Sequence, residues 1–189
     1  MPVAARVRTA AAGTFLVLGA FALAACSSAG AAQQGASATQ GQAGAPSPSE
    51  SDIVSFGGVT VTGGSGKQPA VVVGDQPETA TVIELGDVVA GKGRPVVAGD
   101  HVTVQYVARS AKTKRTFDSS WTRGKPFSYD LDQVPFKAFN EGVVGMKVGG
   151  RRVVILPGPL AYGAKPPAVL GLKPNEPLVF VIDLVSIDN

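Results

Sequence analysis

The chain is poor in the side chains that usually carry covalent or metal chemistry. Its one histidine, His101, and its one cysteine, Cys26, cannot build a zinc site. No acidic cluster has the spacing of a calcium loop. A serine hydrolase would need His101 as its base, yet neither a nucleophile elbow nor an orienting acid accompanies it. The glycine-rich stretch GGVTVTGGSGKQ lacks both the phosphate-loop spacing and the helix that must follow it. What remains is aromatic. In a chain only 6% Phe, Trp and Tyr, the segment FDSSWTRGKPF, Phe117 to Phe127, sets three rings beside Asp118 and Arg123. Tyr106 precedes it; Phe136, Phe139, Tyr162 and Phe180 follow. Any one of these rings alone is most simply core. Two placements argue for more: Phe117 is followed at once by Asp118, and Tyr162 leads into GAKPPAVLGLKPNEP, a loop too long for regular elements to cover. Any catalysis by such a chain must proceed without metal, cofactor or covalent nucleophile.

Strands must bring these rings together. HVTVQYVAR alternates, so Val102, Val104, Tyr106 and Ala108 share a face. RRVVILP and LVFVIDLVSI read as strands, the second apolar on both faces and therefore central. PFKAFNEGVVGM spaces Phe136, Phe139 and Val143 at helical intervals before Gly145 and Gly149 break the run. FGGVTVTGGSGKQPAVVVG and TATVIELGDVVAGKG supply valine-rich strands of an N-terminal β extension, residues 53–98, packed on the main domain. Strands with one short helix on a face predict an antiparallel α+β domain.

The 189 residues, 44% hydrophobic, suffice for such a core, but the first fifty stand apart from it. Arg6 and Arg8 precede an apolar run, TAAAGTFLVLGAFALAA, which is short for a membrane span and has the build of a signal peptide. Leu23-Ala24-Ala25-Cys26 resembles a bacterial lipobox. The expectation is that residues 1–25 are removed, and that a lipid on Cys26 anchors the protein at the extracytoplasmic face of the cell membrane. Residues 26–52, nearly free of large side chains, form a tether spanning on the order of 25 to 30 Å. With a single cysteine, an exported domain must be held by packing rather than disulfides. Loss of Arg6 and Arg8 leaves 15 basic against 14 acidic residues, a net of +1 instead of +3. No basic stripe with interleaved aromatics remains, which argues against nucleic acid as a partner.

The segments VQYVARSAKTKRTFDSSWTRGKPFSY, FNEGVVGMKVGGRRVVILP, AYG and LGLKPNEPLVFVIDLVSI occur in the order and near-spacing of one family. Residues 99–189 resemble the FKBP-type peptidyl-prolyl cis-trans isomerases. That resemblance implies an antiparallel five- to six-stranded sheet wrapped around one short helix, and no cofactor. It implies a proline pocket lined by Tyr106, Phe117, Asp118, Phe127, Phe139, Tyr162 and Phe180, with Phe139 as floor and Arg123 holding Asp118. Phe136 and Leu172 fall where the family contacts residues flanking the proline. Proline-containing exported polypeptides would be substrates, and macrolide immunosuppressants pocket ligands. Three departures stand out: Phe139 replaces the usual floor tryptophan, DQVPFKAF is one residue short with Pro135-Phe136 in place of Val-Ile, and the flap before Leu172 is one residue longer. An altered floor that grips without turning over would instead make a proline-binding holdase; a third use is a surface scaffold.

Overall fold

The computed structural model describes residues 53–188 and the backbone of Arg6–Val7. The rest of the expected signal peptide, the tether and Cys26 lie outside the described residues. In chain order the strands begin with β1 (Arg6–Val7), β2 (Ile53–Phe56), β3 (Val59–Thr62), β4 (Ala70–Val73), β5 (Glu84–Val89) and β6 (Lys92–Pro95). They continue with β7 (His101–Ser110), β8 (Thr116–Ser119) and β9 (Phe127–Asp130), then helix α1 (Lys137–Asn140). The last three are β10 (Lys147–Val148), β11 (Arg151–Leu156) and β12 (Leu178–Asp188).

The main sheet runs β1-β5-β11-β12-β7-β8, with β9 also on β7. β1 lies parallel to β5, and the other pairings are antiparallel. Two short strands share one edge of β7. β9 pairs with its start, Phe127 opposite Val104, and β8 with its end, Asp118 opposite Ala108. The crossing between them is the FDSSWTRGKPF segment, so Phe117 and Phe127 return to the same face of the sheet.

That face carries the helix. Val102, Val104, Tyr106 and Ala108 of β7 bury there, as their alternation requires, together with Val154, Leu156, Phe180, Ile182 and the α1 residues Ala138 and Phe139. The other face is buried as well. Val107, Val153, Ile155, Val179 and Val181 pack against Val59, Val61, Val71 and Val73 from the separate sheet β2-β3-β4. Cover on both sides is the physical reason that β12 is apolar all round.

Within the 53–98 stretch, β2, β3 and β4 form this separate sheet. β5, although it falls within the valine-rich 53–98 stretch, is a full member of the main sheet, pairing with β11 from Glu84 to Val89. β6 pairs with β10. Polar clasps fix the extension at both ends. Fully buried Arg151 pairs with Asp183 and donates to the carbonyls of Gly63 (2.5 Å) and Lys67 (2.6 Å), while the Gly66 N–H reaches Asp183 at 3.0 Å. At the other end Arg109 donates to the Val71 carbonyl, and Lys114 to the Gly74 carbonyl (2.6 Å) and Glu78 (2.8 Å).

Candidate active site

Helix α1 is a single turn that packs Phe139 against this face of the sheet. Phe136 caps it in an extended conformation, φ −80° and ψ 117°, which a residue at that position favours. Phe139 is 8% exposed, and five rings surround it. The centroids of Tyr106, Phe127, Phe180 and Tyr129 lie at 4.9, 5.4, 5.6 and 5.6 Å, each roughly edge to face, and Phe136 at 6.1 Å. Phe117 meets Phe180 edge-on at 6.1 Å, and Tyr162 lies over Phe136 at 4.8 Å. Tyr106, Phe139 and Phe180 are buried; Phe117, Phe127, Phe136, Tyr162 and Leu172 are half-buried around them. Edge-to-face contacts at these distances are the favoured geometry for aromatic pairs.

One charge network sits at the rim. The Tyr106 hydroxyl donates to Asp118 at 2.5 Å, and Arg123 donates both to Asp118 and, at 2.9 Å, to the Tyr106 oxygen. Its guanidinium also lies 5.3 Å over the Tyr106 ring, in cation–π range. Burial, then the bond to Asp118, pushes the Tyr106 phenol up to about 12. Burial raises Tyr162 too, with the Asp118 charge adding to it. Both phenols are thus neutral donors at physiological pH. Among the described residues the Tyr162 hydroxyl and the Phe136 N–H make no internal hydrogen bond.

The long loop after Tyr162 closes over one side. Its base is tied by the Asn175 N–H to the Gly163 carbonyl at 2.7 Å, and by buried Glu176, which accepts from Ser110 and from the Lys173 N–H at 2.6 Å. A side chain at Gly158 would meet the Asn175 carbonyl oxygen at 1.9 Å, so only glycine fits beneath that base.

The structure therefore brings together all the ring positions expected of the cup, with Leu172 packed beside them and Arg123 on Asp118. Cys26 lies outside the described residues. Sequence reasoning passed over Tyr129, which stacks on Phe127 at 4.7 Å and donates to the Phe139 carbonyl at 2.8 Å. The signal was available, because Phe127 and Tyr129 are two apart on one strand and so share a face. Trp121 faces the other way, packed on the outer apolar cluster with the extension.

Comparison with known proteins agrees with this fold. The profile of the family described as FKBP-type peptidyl-prolyl cis-trans isomerase matches residues 92–185. The "FK506-binding protein" of Streptomyces anulatus is 41% identical over 107 residues, 56% of this chain and 86% of that one. The "Probable FK506-binding protein" of Corynebacterium glutamicum is 38% identical over 114 residues, covering 60% and 92%. Among solved structures, FkpA from Escherichia coli superposes with a TM-score of 0.51 at 38% identity, over 57% of this chain and 49% of that one. A peptidyl-prolyl cis-trans isomerase from Pseudomonas syringae gives 0.50 at 29%, over 59% and 80%. With the sheet, the short helix and the packed ring cluster in place, the chain belongs to the FKBP-type peptidyl-prolyl cis-trans isomerases.

Proposed function

We propose that the aromatic cup over Phe139 binds a prolyl ring and speeds rotation about the preceding peptide bond in exported proteins. The observation that carries this reading is the convergence of five rings on Phe139, with the Tyr162 hydroxyl and the Phe136 N–H left without a partner among the described residues. An Xaa-Pro bond crosses about 18 to 20 kcal/mol and takes tens to hundreds of seconds unaided. Bringing that to tens of milliseconds requires about 5.5 kcal/mol of selective transition-state binding. No covalent bond forms or breaks. In the twisted state amide resonance is lost and carbonyl polarity falls, so a dry ring-lined cup favours it over the planar, strongly solvated amide. The two donors hold the flanking peptide. Each contributes about 0.5 to 1.5 kcal/mol, so exclusion of water and fixed geometry supply the larger share. The smaller floor ring is backed by Tyr129, which holds both Phe127 and the carbonyl of Phe139.

The purified chain should isomerise an Ala-Leu-Pro-Phe peptide well above the uncatalysed rate, and no rate above background would end the enzyme reading. Phe127→Ala should lower kcat/KM by about tenfold to a hundredfold while the protein stays folded. Macrolides of the FK506 type are the ligands we propose for the same cup, as competitors of the peptide. The signal-like segment and Leu23-Ala24-Ala25-Cys26 support a lipid-anchored, extracytoplasmic protein. Labelling of the expressed protein by radioactive palmitate, abolished in Cys26→Ala, is the expected result.

A further inference from the structure

A second hollow opens on the outer side of the Phe117–Phe127 segment. Trp121, Pro126, Val148, Val185, Gln105 and Gly66 are among its lining residues, and its volume is about 450 Å³, within the usual range of ligand sites. Its apolar surface is there for specific reasons. Trp121 is braced from behind by the cluster between main sheet and extension. Val185 stands out because the β12 register shifts between Leu184 and Ser186, leaving it 45% exposed, and Val148 on the β10 edge is 39% exposed. The groove offers little free charge, since the Asp183 carboxylate in its wall is engaged by Arg151 and the Gly66 N–H. Gln105 accepts from the Ser120 hydroxyl, which leaves its amide hydrogens for a passing carbonyl.

A neighbouring hollow is lined by Arg123, Lys125, Pro126, Phe127 and Ser128. It shares Pro126 with the groove and Phe127 with the aromatic cup. We propose that this groove is a second binding site for the same client. An unfolded polypeptide with its proline over Phe139 passes across Phe127 and Pro126 and seats an aliphatic or aromatic side chain against Trp121. The proposal rests on the reading of the cup as the proline site. It defines the substrate class as extended chains with an apolar residue several positions from the proline, a reach of about 20 Å for six residues. A tetrapeptide, about 13 Å when extended, serves as the short control.

Trp121 is the chain's one tryptophan, so its emission reports the groove directly. The test compares the Ala-Leu-Pro-Phe tetrapeptide with tryptophan-free peptides of about sixteen residues that carry a leucine on one side or the other of a central Leu-Pro. At least one long peptide should exceed the tetrapeptide in kcat/KM by about tenfold and shift the Trp121 emission, which the tetrapeptide leaves unchanged. In Trp121→Ala, and separately in Val148→Ser with Val185→Ser, the advantage should fall to within about twofold with tetrapeptide turnover intact. The second pair alters exposed positions only and guards against a folding defect in the first. Long peptides no better than the short one, or an advantage that survives both variants, would overturn the proposal. So would an emission change on concentrating the protein alone, which would assign the groove to a second copy. Failure of tetrapeptide turnover would strike the cup reading by itself, because the emission titration reads the groove without turnover.

Discussion

Tyr106 shows how one residue ties the pocket to the fold. Its ring is part of the wall around Phe139, and its hydroxyl donates to Asp118 and accepts from Arg123. Burial favours the neutral phenol, so its pKa rises from 10.0 up to about 12, and burial raises Tyr129 further still. A folded-state pKa above the unfolded one contributes stability that is whole below the unfolded value and disappears as pH climbs through the folded one. The urea midpoint should therefore be insensitive to these two groups from pH 7 to about 9 and fall between about 10 and 12. Tyr106→Phe should remove the Tyr106 part of that fall. A midpoint equally steep in the variant would show that Tyr106 does not lead the alkaline transition. Tyr106 was legible from the sequence because the alternation of β7 assigns it to a face. Trp121 was not, because it stands in a loop, where no periodicity says which side of the chain a side chain takes.

At the scale of the element, α1 is too short to hold itself together. A single turn has almost no intrinsic stability, and the apolar spacing from Phe136 to Val143 suggested a longer helix. The glycines explain the early end. A side chain at Gly142 would lie 2.2 Å from the Ala138 carbonyl oxygen, and Gly145 has φ +79°, a conformation that does not continue a helix. The turn is held from outside instead. Asn140 donates to the Val134 carbonyl (2.9 Å), and Arg152 to the carbonyls of Gly142 (3.0 Å) and Val144 (2.8 Å) while pairing with Asp87 of β5. Arg151 and Arg152 are adjacent on β11, so they leave opposite faces: one clasps the extension, the other braces the turn that follows the floor helix. The strand RRVVILP was readable from its valines, but the partners of its arginines depend on contacts 65 and 88 residues away in sequence. Arg152→Ala strands two carbonyls and one carboxylate, and should cost about 2 to 4 kcal/mol, discounted for the exposure of Asp87. Because it also releases the floor, kcat/KM on the tetrapeptide should fall by about tenfold under conditions where the variant remains folded. Unchanged turnover in that state would mean that Arg152 stabilises the protein without positioning Phe139.

At the scale of the whole molecule, the isomerase sheet is not complete without residues that precede the family match. Val107, Val153, Ile155, Val179 and Val181 would face water if β2-β3-β4 were absent, and each fully buried aliphatic side chain is worth roughly 1.5 to 3 kcal/mol. The hydrophobic term holds the extension to the sheet, but Arg151 and Asp183 fix its register, since their side chains take three backbone groups of the β3–β4 loop. A charge pair so fully enclosed is a poor source of net stability, yet removal of one member leaves the other stranded. Asp183→Ala should thus lose about 3 to 5 kcal/mol in urea unfolding followed by Trp121 emission. Asp183→Leu combined with Arg151→Met should recover most of that loss, because an apolar pair needs no partner. The same double variant should loosen the Gly63–Lys67 loop, which has then lost its donors and acceptor, and amide exchange at Gly66 should quicken relative to Val61 in the valine core. Recovery of stability together with unchanged exchange at Gly66 would show that packing alone seats the extension, and that the buried pair specifies nothing.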